Sequence, residues 1–102
     1  MTHAVIITGK AAEDLRLIYQ WYEEQQIGLG DKFRDHFEGA LVKLQNQPLA
    51  YGLVYKNTRR FRLNPFPYQV FFRVKRNVVK VLAVIHSSRN PMLMRRRVKR
   101  ER

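Results

Sequence analysis

Residues 77–87, NVVKVLAVIHS, decide how the rest of the chain is read. In an extended strand Val79, Val81, Ala83 and Ile85 point one way and Val78, Leu82 and Val84 the other. A strand apolar on both sides belongs at a central position of a sheet. Upstream, YQVFFRVKR (68–76) is a second strand, and Arg76-Asn77 between the two marks a tight hairpin. NPFP (64–67) is a turn or bulge, and before it TRRFRL (58–63) alternates, with Arg60 and Arg62 on one side and Phe61 and Leu63 on the other. Downstream, HSSRNP (86–91) empties the strand into a loop, and PMLMRRRVKRER has no strong period. The expected organisation is one domain over residues 1–91 followed by a basic C-terminal segment, 92–102, a tail or a frayed helix, disordered without a partner.

The first half has a different rhythm. HAVIIT (3–8) is a short β-branched strand, and Thr8 is placed to cap a helix from about Lys10 to Gln26. Glu13 and Asp14 favour its positive end. Leu15, Ile18, Tyr19 and Tyr22 form one apolar stripe at helical spacing, with Trp21 at its border. IGLGD (27–31) breaks the helix, and a second runs to about Gln47 with Phe33, Phe37, Ala40, Leu41 and Leu44 on one face until Pro48 ends it. The predicted fold is α+β, in the order β-α-α-β-β-β, with a helical hairpin on one face of a small, mostly antiparallel sheet. The other face, carrying Arg60, Arg62, Arg73 and Lys75, has no segment left to cover it and is the expected functional surface.

Charge narrows the partners. The chain holds 20 basic and 8 acidic residues, net +12. Residues 1–47 hold 5 basic and 7 acidic side chains, whereas residues 48–102 hold 15 basic ones and a single acid, Glu101. Segregation of this kind points to a polyanionic partner, nucleic acid or a strongly acidic protein segment, because solubility alone does not require it. With no cysteine, a disulfide framework and a thiolate metal site are excluded. No His/Asp/Glu spacing suggests a metal, and no cofactor is expected; His3 and His36 are read as surface residues. The opening MTHAVIITGK lacks a basic region ahead of an apolar stretch, and no apolar run approaches the ~20 residues of a membrane span. The expectation is a soluble, cytoplasmic protein with no membrane partner.

Three segments together resemble the RelE/ParE superfamily of toxins from bacterial type II toxin–antitoxin modules, the plasmid-stabilisation type. They are A-x-x-D-L-x-x-I-Y-x-W-Y (11–22), R-R-F-R-L with F-P-Y-Q-V-F-F-R-V (59–74), and V-x-V-L-A-V-I-H-S-S-R-N-P (79–91), in the superfamily's order and spanning about residues 3–91. The resemblance implies a growth-inhibiting toxin neutralised by a cognate acidic antitoxin that masks its basic surface, and allows a toxin–antitoxin hetero-oligomer. It also implies one of two targets. RelE-like members resemble ribosome-dependent mRNA endoribonucleases, whose chemistry needs cations for a charged phosphorane and groups that move two protons. ParE-like members have lost that set and are associated with DNA gyrase. The RelE strand arginine falls here near Tyr68 or Gln69, the arginine after the last strand near Ser87, and the C-terminal tyrosine near Leu93. HSSRN resembles the ParE-type close of the last strand, so the ParE branch is favoured. Whether the chain is an enzyme follows the branch: an endoribonuclease if RelE-like, no enzyme if ParE-like. A non-toxic basic nucleic-acid-binding module is the remaining alternative.

The candidate residues follow. As catalytic groups, His86 would shuttle protons, Arg89 clamp a phosphate, and Tyr68 stack on a base. The plainer reading has the His86 ring bonded within the sheet end, Ser87 and Ser88 starting a turn, and Asn90-Pro91 ending the strand. For contact with target or antitoxin the candidates are Arg59, Arg60, Arg62, Arg73, Lys75 and Arg89, together with Arg95, Arg96 and Arg97 of the tail. Arg60 and Arg62 sit two apart on one strand face, roughly 7 Å, close to the spacing of neighbouring phosphates.

Overall fold

In the computed structural model, which describes residues 2–101, the strand that opened the reading is flanked on both sides. Val78–His86 (β5) pairs antiparallel with Tyr68–Lys75 (β4) and parallel with Ala4–Ile7 (β1). Beyond β4 lie Thr58–Arg62 (β3) and Leu53–Tyr55 (β2), so the five-stranded sheet runs β1-β5-β4-β3-β2 with one parallel pair. The fold class is the expected α+β one; β2, three residues with no legible alternation, is an addition to it.

Gly9–Gln25 (α1) and Leu29–Asn46 (α2) form the hairpin. Thr8 caps α1, its Oγ1 accepting the Ala11 N–H at 3.1 Å. The turn is organised by Glu23, whose Oε1 accepts the N–H groups of Gly28 (2.9 Å) and Gly30 (3.0 Å). Gly28 holds φ of 92°, and a Cβ on Gly30 would lie 2.7 Å from the Tyr19 carbonyl oxygen, so both glycines are required by the close turn. The two stripes then bury Ala11, Ile18, Tyr22, Phe33, Phe37 and Leu44 against Phe61, Val70, Phe72, Val79, Val81 and Val84 of the sheet.

One face assignment changes along β5. Phe71 pairs with Ala83 but Phe72 pairs with Val81, so Leu82 is an extra residue in the ladder. The bulge resets the alternation. Val84 joins Val79 and Val81 on the hairpin face, while Ala83 and Ile85, expected there, join Leu82 on the other.

That other face is not bare. The segment read as a basic tail or frayed helix, disordered without a partner, instead holds an ordered helix over Pro91–Lys99 (α3), capped by Asn90 and opened by Pro91; residue 102 lies outside the described residues. Met94 and Val98, four apart, sit on Phe71, Leu82, Ala83 and Ile85 as a second core. The physical reason is the second apolar side of β5, which a solvent-exposed sheet face would leave wet.

Candidate functional site

The polar groups that close α3 over the sheet come first, because they use up cations expected to be free. Arg73 donates from Nη2 to the Val98 carbonyl (2.8 Å) and from Nη1 to the Glu101 carbonyl (2.6 Å), two acceptors at the helix's C-terminal end. Arg97 reaches back to α1 and meets Asp14 through both oxygens, at 3.1 and 2.8 Å. Asp14 Oδ2 also accepts the Val84 N–H at 3.0 Å, so one carboxylate ties α1, β5 and α3 together. Arg60 donates to Gln69 Oε1 at 3.1 Å, and Arg59, on the hairpin side of β3, to the Tyr51 carbonyl at 2.6 Å. Arg95 lies over the Tyr55 ring, 5.1 Å from its centroid. Arg62, Lys75, Arg89 and Arg96 are exposed. The single uncovered face lined with arginines is therefore not formed: α3 occupies it, and the guanidinium groups are dispersed among local acceptors and solvent.

The three residues singled out for chemistry do come together. Tyr68 opens β4 and His86 closes β5; they are register partners, with rings 5.1 Å apart, edge to face. A groove of about 430 Å³ runs between α1, this sheet end and α3. Leu17 and Trp21 of α1 and Leu93 of α3 give it apolar walls; Tyr68, His86 and Arg89 line the rest, with Asp14 and Arg97 at one side. Leu17 and Trp21 are each about half exposed, 50% and 53%. Burial pushes the Tyr68 phenol above its ordinary value, so at neutral pH it holds its proton.

His86 is constrained by its own turn. Its Nδ1 accepts the Ser88 N–H at 3.1 Å and lies 2.8 Å from the Ser88 hydroxyl, while its carbonyl accepts the Arg89 N–H at 3.0 Å. In the neutral ring that bond places the proton on Nε2. The Ser88 hydroxyl shares Nδ1 with its own amide, and among the described residues no third group orients the ring from Nε2, as an activated nucleophile requires. HSSRNP is thus a strand exit, a turn and a helix cap in succession, with the Asn90 side chain accepting the Met92 N–H at 2.9 Å. Reading by sequence missed Asp14, Leu17 and Leu93 as lining residues. The findable trace of α3 was Asn90-Pro91 followed by Met94 and Val98 at helical spacing.

A helical hairpin on one side of a β1-β5-β4-β3-β2 sheet, with a C-terminal helix after the last strand, defines the RelE/ParE class of toxin folds. Solved structures agree. The chain superposes on a protein of the chromosomal ParDE TA system from Pseudomonas aeruginosa with TM-score 0.74 (22% identity, 83% of this chain and 96% of that one). It superposes on a mutant of the Escherichia coli toxin RelE in the free state with TM-score 0.73 (20% identity, 100% of both). Residues 5–91 match the family described as the ParE toxin of type II toxin-antitoxin system, parDE, and the chain belongs to that family. It is 27% identical over 92 residues to Toxin ParE2 of Mycobacterium tuberculosis, covering 89% of this chain and 88% of that toxin. The protein is therefore the toxin component of a type II toxin–antitoxin module.

Proposed function

We propose that this toxin halts growth by binding a macromolecular target rather than by cutting RNA, with DNA gyrase, the target the resemblance names for the ParE branch, as the candidate. The carrying observation is the fate of Arg73 and Arg97. A phosphoryl-transfer site needs cations aimed at the phosphate that gains charge, yet Arg73 is held by the Val98 and Glu101 carbonyls and Arg97 by Asp14. The groove at the end of β5 combines apolar walls with Arg89, which suits an amphipathic, acidic segment of a cognate antitoxin. Among the described residues no helix is long and apolar enough to cross a membrane, in keeping with a target and antitoxin met in the cytoplasm.

Purified chain added to gyrase and relaxed plasmid tests the reading. Loss of supercoiling, reversed by the antitoxin, is expected; unaltered supercoiling at excess toxin removes gyrase as the target. One observation favours a second reading, a ribosome-dependent endoribonuclease: Tyr68, His86 and Arg89 converge on one groove. Mapping mRNA ends from translating ribosomes decides it. New 5′ ends that vanish with His86→Gln would replace the binding reading by this one.

A further inference from the structure

At the opposite end of β5 from the groove, the two β-hairpin turns of the sheet lie side by side and carry cations in a strained conformation. Lys56, in the β2–β3 turn, and Arg76, in the β4–β5 turn, hold φ of 51° and 57°. Glycine and asparagine adopt that left-handed region with less strain, and an asparagine follows each cation in the sequence without occupying it. Retaining Lys and Arg at both tips is the kind of local conflict that marks function rather than folding. Between the turns lies an open cleft of about 650 Å³, lined by Asn57, Arg73, Lys75, Arg76 and Lys80 together with Val74 and Val78. Lys75 extends the same strand face as Arg73, and α3 ends over Arg73, leaving Lys75 and the turns uncovered. Lys99 and Arg100, at the end of α3, are exposed.

The geometry points to this end of the sheet, built on Lys56, Lys75 and Arg76, as a surface that binds the phosphate backbone of nucleic acid without reading its sequence. The choice of nucleic acid over an acidic protein rests on what lines the cleft. The widely exposed apolar side chains of the molecule, Trp21, Ile27 and Leu49 among them, lie outside it. No aromatic, leucine, isoleucine or methionine side chain lines it, so a protein segment would find only Val74 and Val78 to bury against, whereas a phosphate backbone needs only closely spaced cations and the release of its counterions. The surface is distinct from the groove at His86, which lies at the far end of the same strand.

Fluorescence anisotropy of the purified chain with a labelled 20-base-pair duplex of arbitrary sequence, from 50 to 200 mM salt, tests it. The double variant Lys75→Gln with Arg76→Gln is expected to bind about tenfold more weakly, with the log–log salt slope reduced by about 1.8. Removing two cations from the helical hairpin, Lys10→Gln with Lys32→Gln, is expected to change neither appreciably. Equal loss in both double variants would mean that net charge alone attracts DNA, and the site would be refuted. Poly-glutamate competing as well as unlabelled duplex, with the same dependence on Lys75 and Arg76, would overturn the nucleic-acid assignment in favour of an acidic protein. Arg76→Gly separates binding from folding: it is expected to melt at a higher temperature yet bind more weakly, and undiminished binding would count against the site.

Discussion

The two faces of the sheet are held by different physics. On the hairpin face, Tyr22, Phe33, Phe37, Phe61 and Phe72 are buried in one apolar core, with ring contacts such as Phe33–Phe66 at 5.3 Å and Tyr22–Phe33 at 5.7 Å. Such a core stabilises by area and dispersion and needs no charge to set it. On the α3 face the buried set is Phe71, Leu82, Ala83, Ile85, Met94 and Val98, of which α3 supplies two. A nine-residue helix resting on two buried side chains and a half-buried Leu93 is marginal by itself. Its attachment is completed by Arg73 at the helix's C-terminal carbonyls and by the Arg97–Asp14 pair. The lesson is that one face is a foundation and the other a fastened cover, and a cover can open while the foundation stands.

The largest expected effect challenges the foundation. Phe72→Ala should lower unfolding free energy by about 3–5 kcal/mol, and Met94→Ala, on the other face, by about 2 kcal/mol, both read from urea denaturation. Equal losses would show that the faces are not ranked in this way. Next, Asp14→Ala leaves Arg97 and the Val84 N–H without their shared partner and should cost about 2–3 kcal/mol. Its signature is where the loss appears: hydrogen exchange should accelerate at α3 amides well before those of β4 and β5. If the strand amides open in step with α3, the cover is not separable.

A smaller effect belongs to the hairpin face alone. Burial raises the Tyr22 and Tyr68 phenols above their ordinary value of 10.0, so the folded chain holds protons that the unfolded chain releases first. Their contribution is complete below pH 10 and is lost as pH rises through the folded values. Stability should therefore fall on the alkaline side, and Tyr68→Phe should flatten that fall; an unchanged alkaline slope would remove Tyr68 from the account. Smallest is Arg95→Gln, which forfeits a cation–π contact at the edge of the cover, about 0.5 kcal/mol in thermal unfolding.

How much of this was legible in the sequence divides along the same line. The hairpin face was readable because its residues repeat at helical spacing in α1 and α2, and because Thr8 and the glycines of IGLGD are local devices. The cover was not, because PMLMRRRVK has no strong apolar period, and the value of Met94 and Val98 depends on a sheet face assembled from distant strands. The Leu82 bulge is a property of pairing, invisible in β5 alone, and it reverses the expected sides of Ala83, Val84 and Ile85. Tyr68, His86 and Arg89 were picked out as residue types and do share a groove. The strand arginines were expected to line one uncovered face; α3 occupies it, and the carbonyls at the end of α3 that take up Arg73 arise only from the fold.

The parallel pairing of β1 with β5 has a bearing on how the molecule is made. Asp14 bonds to Val84 seventy positions later and to Arg97 eighty-three positions later. The opening strand and helix leave the ribosome first, yet their places in the structure exist only once almost all of the remainder has emerged. At bacterial elongation speeds that wait lasts on the order of several seconds. A toxin wired in this order closes its α3 face only when its own synthesis is nearly complete.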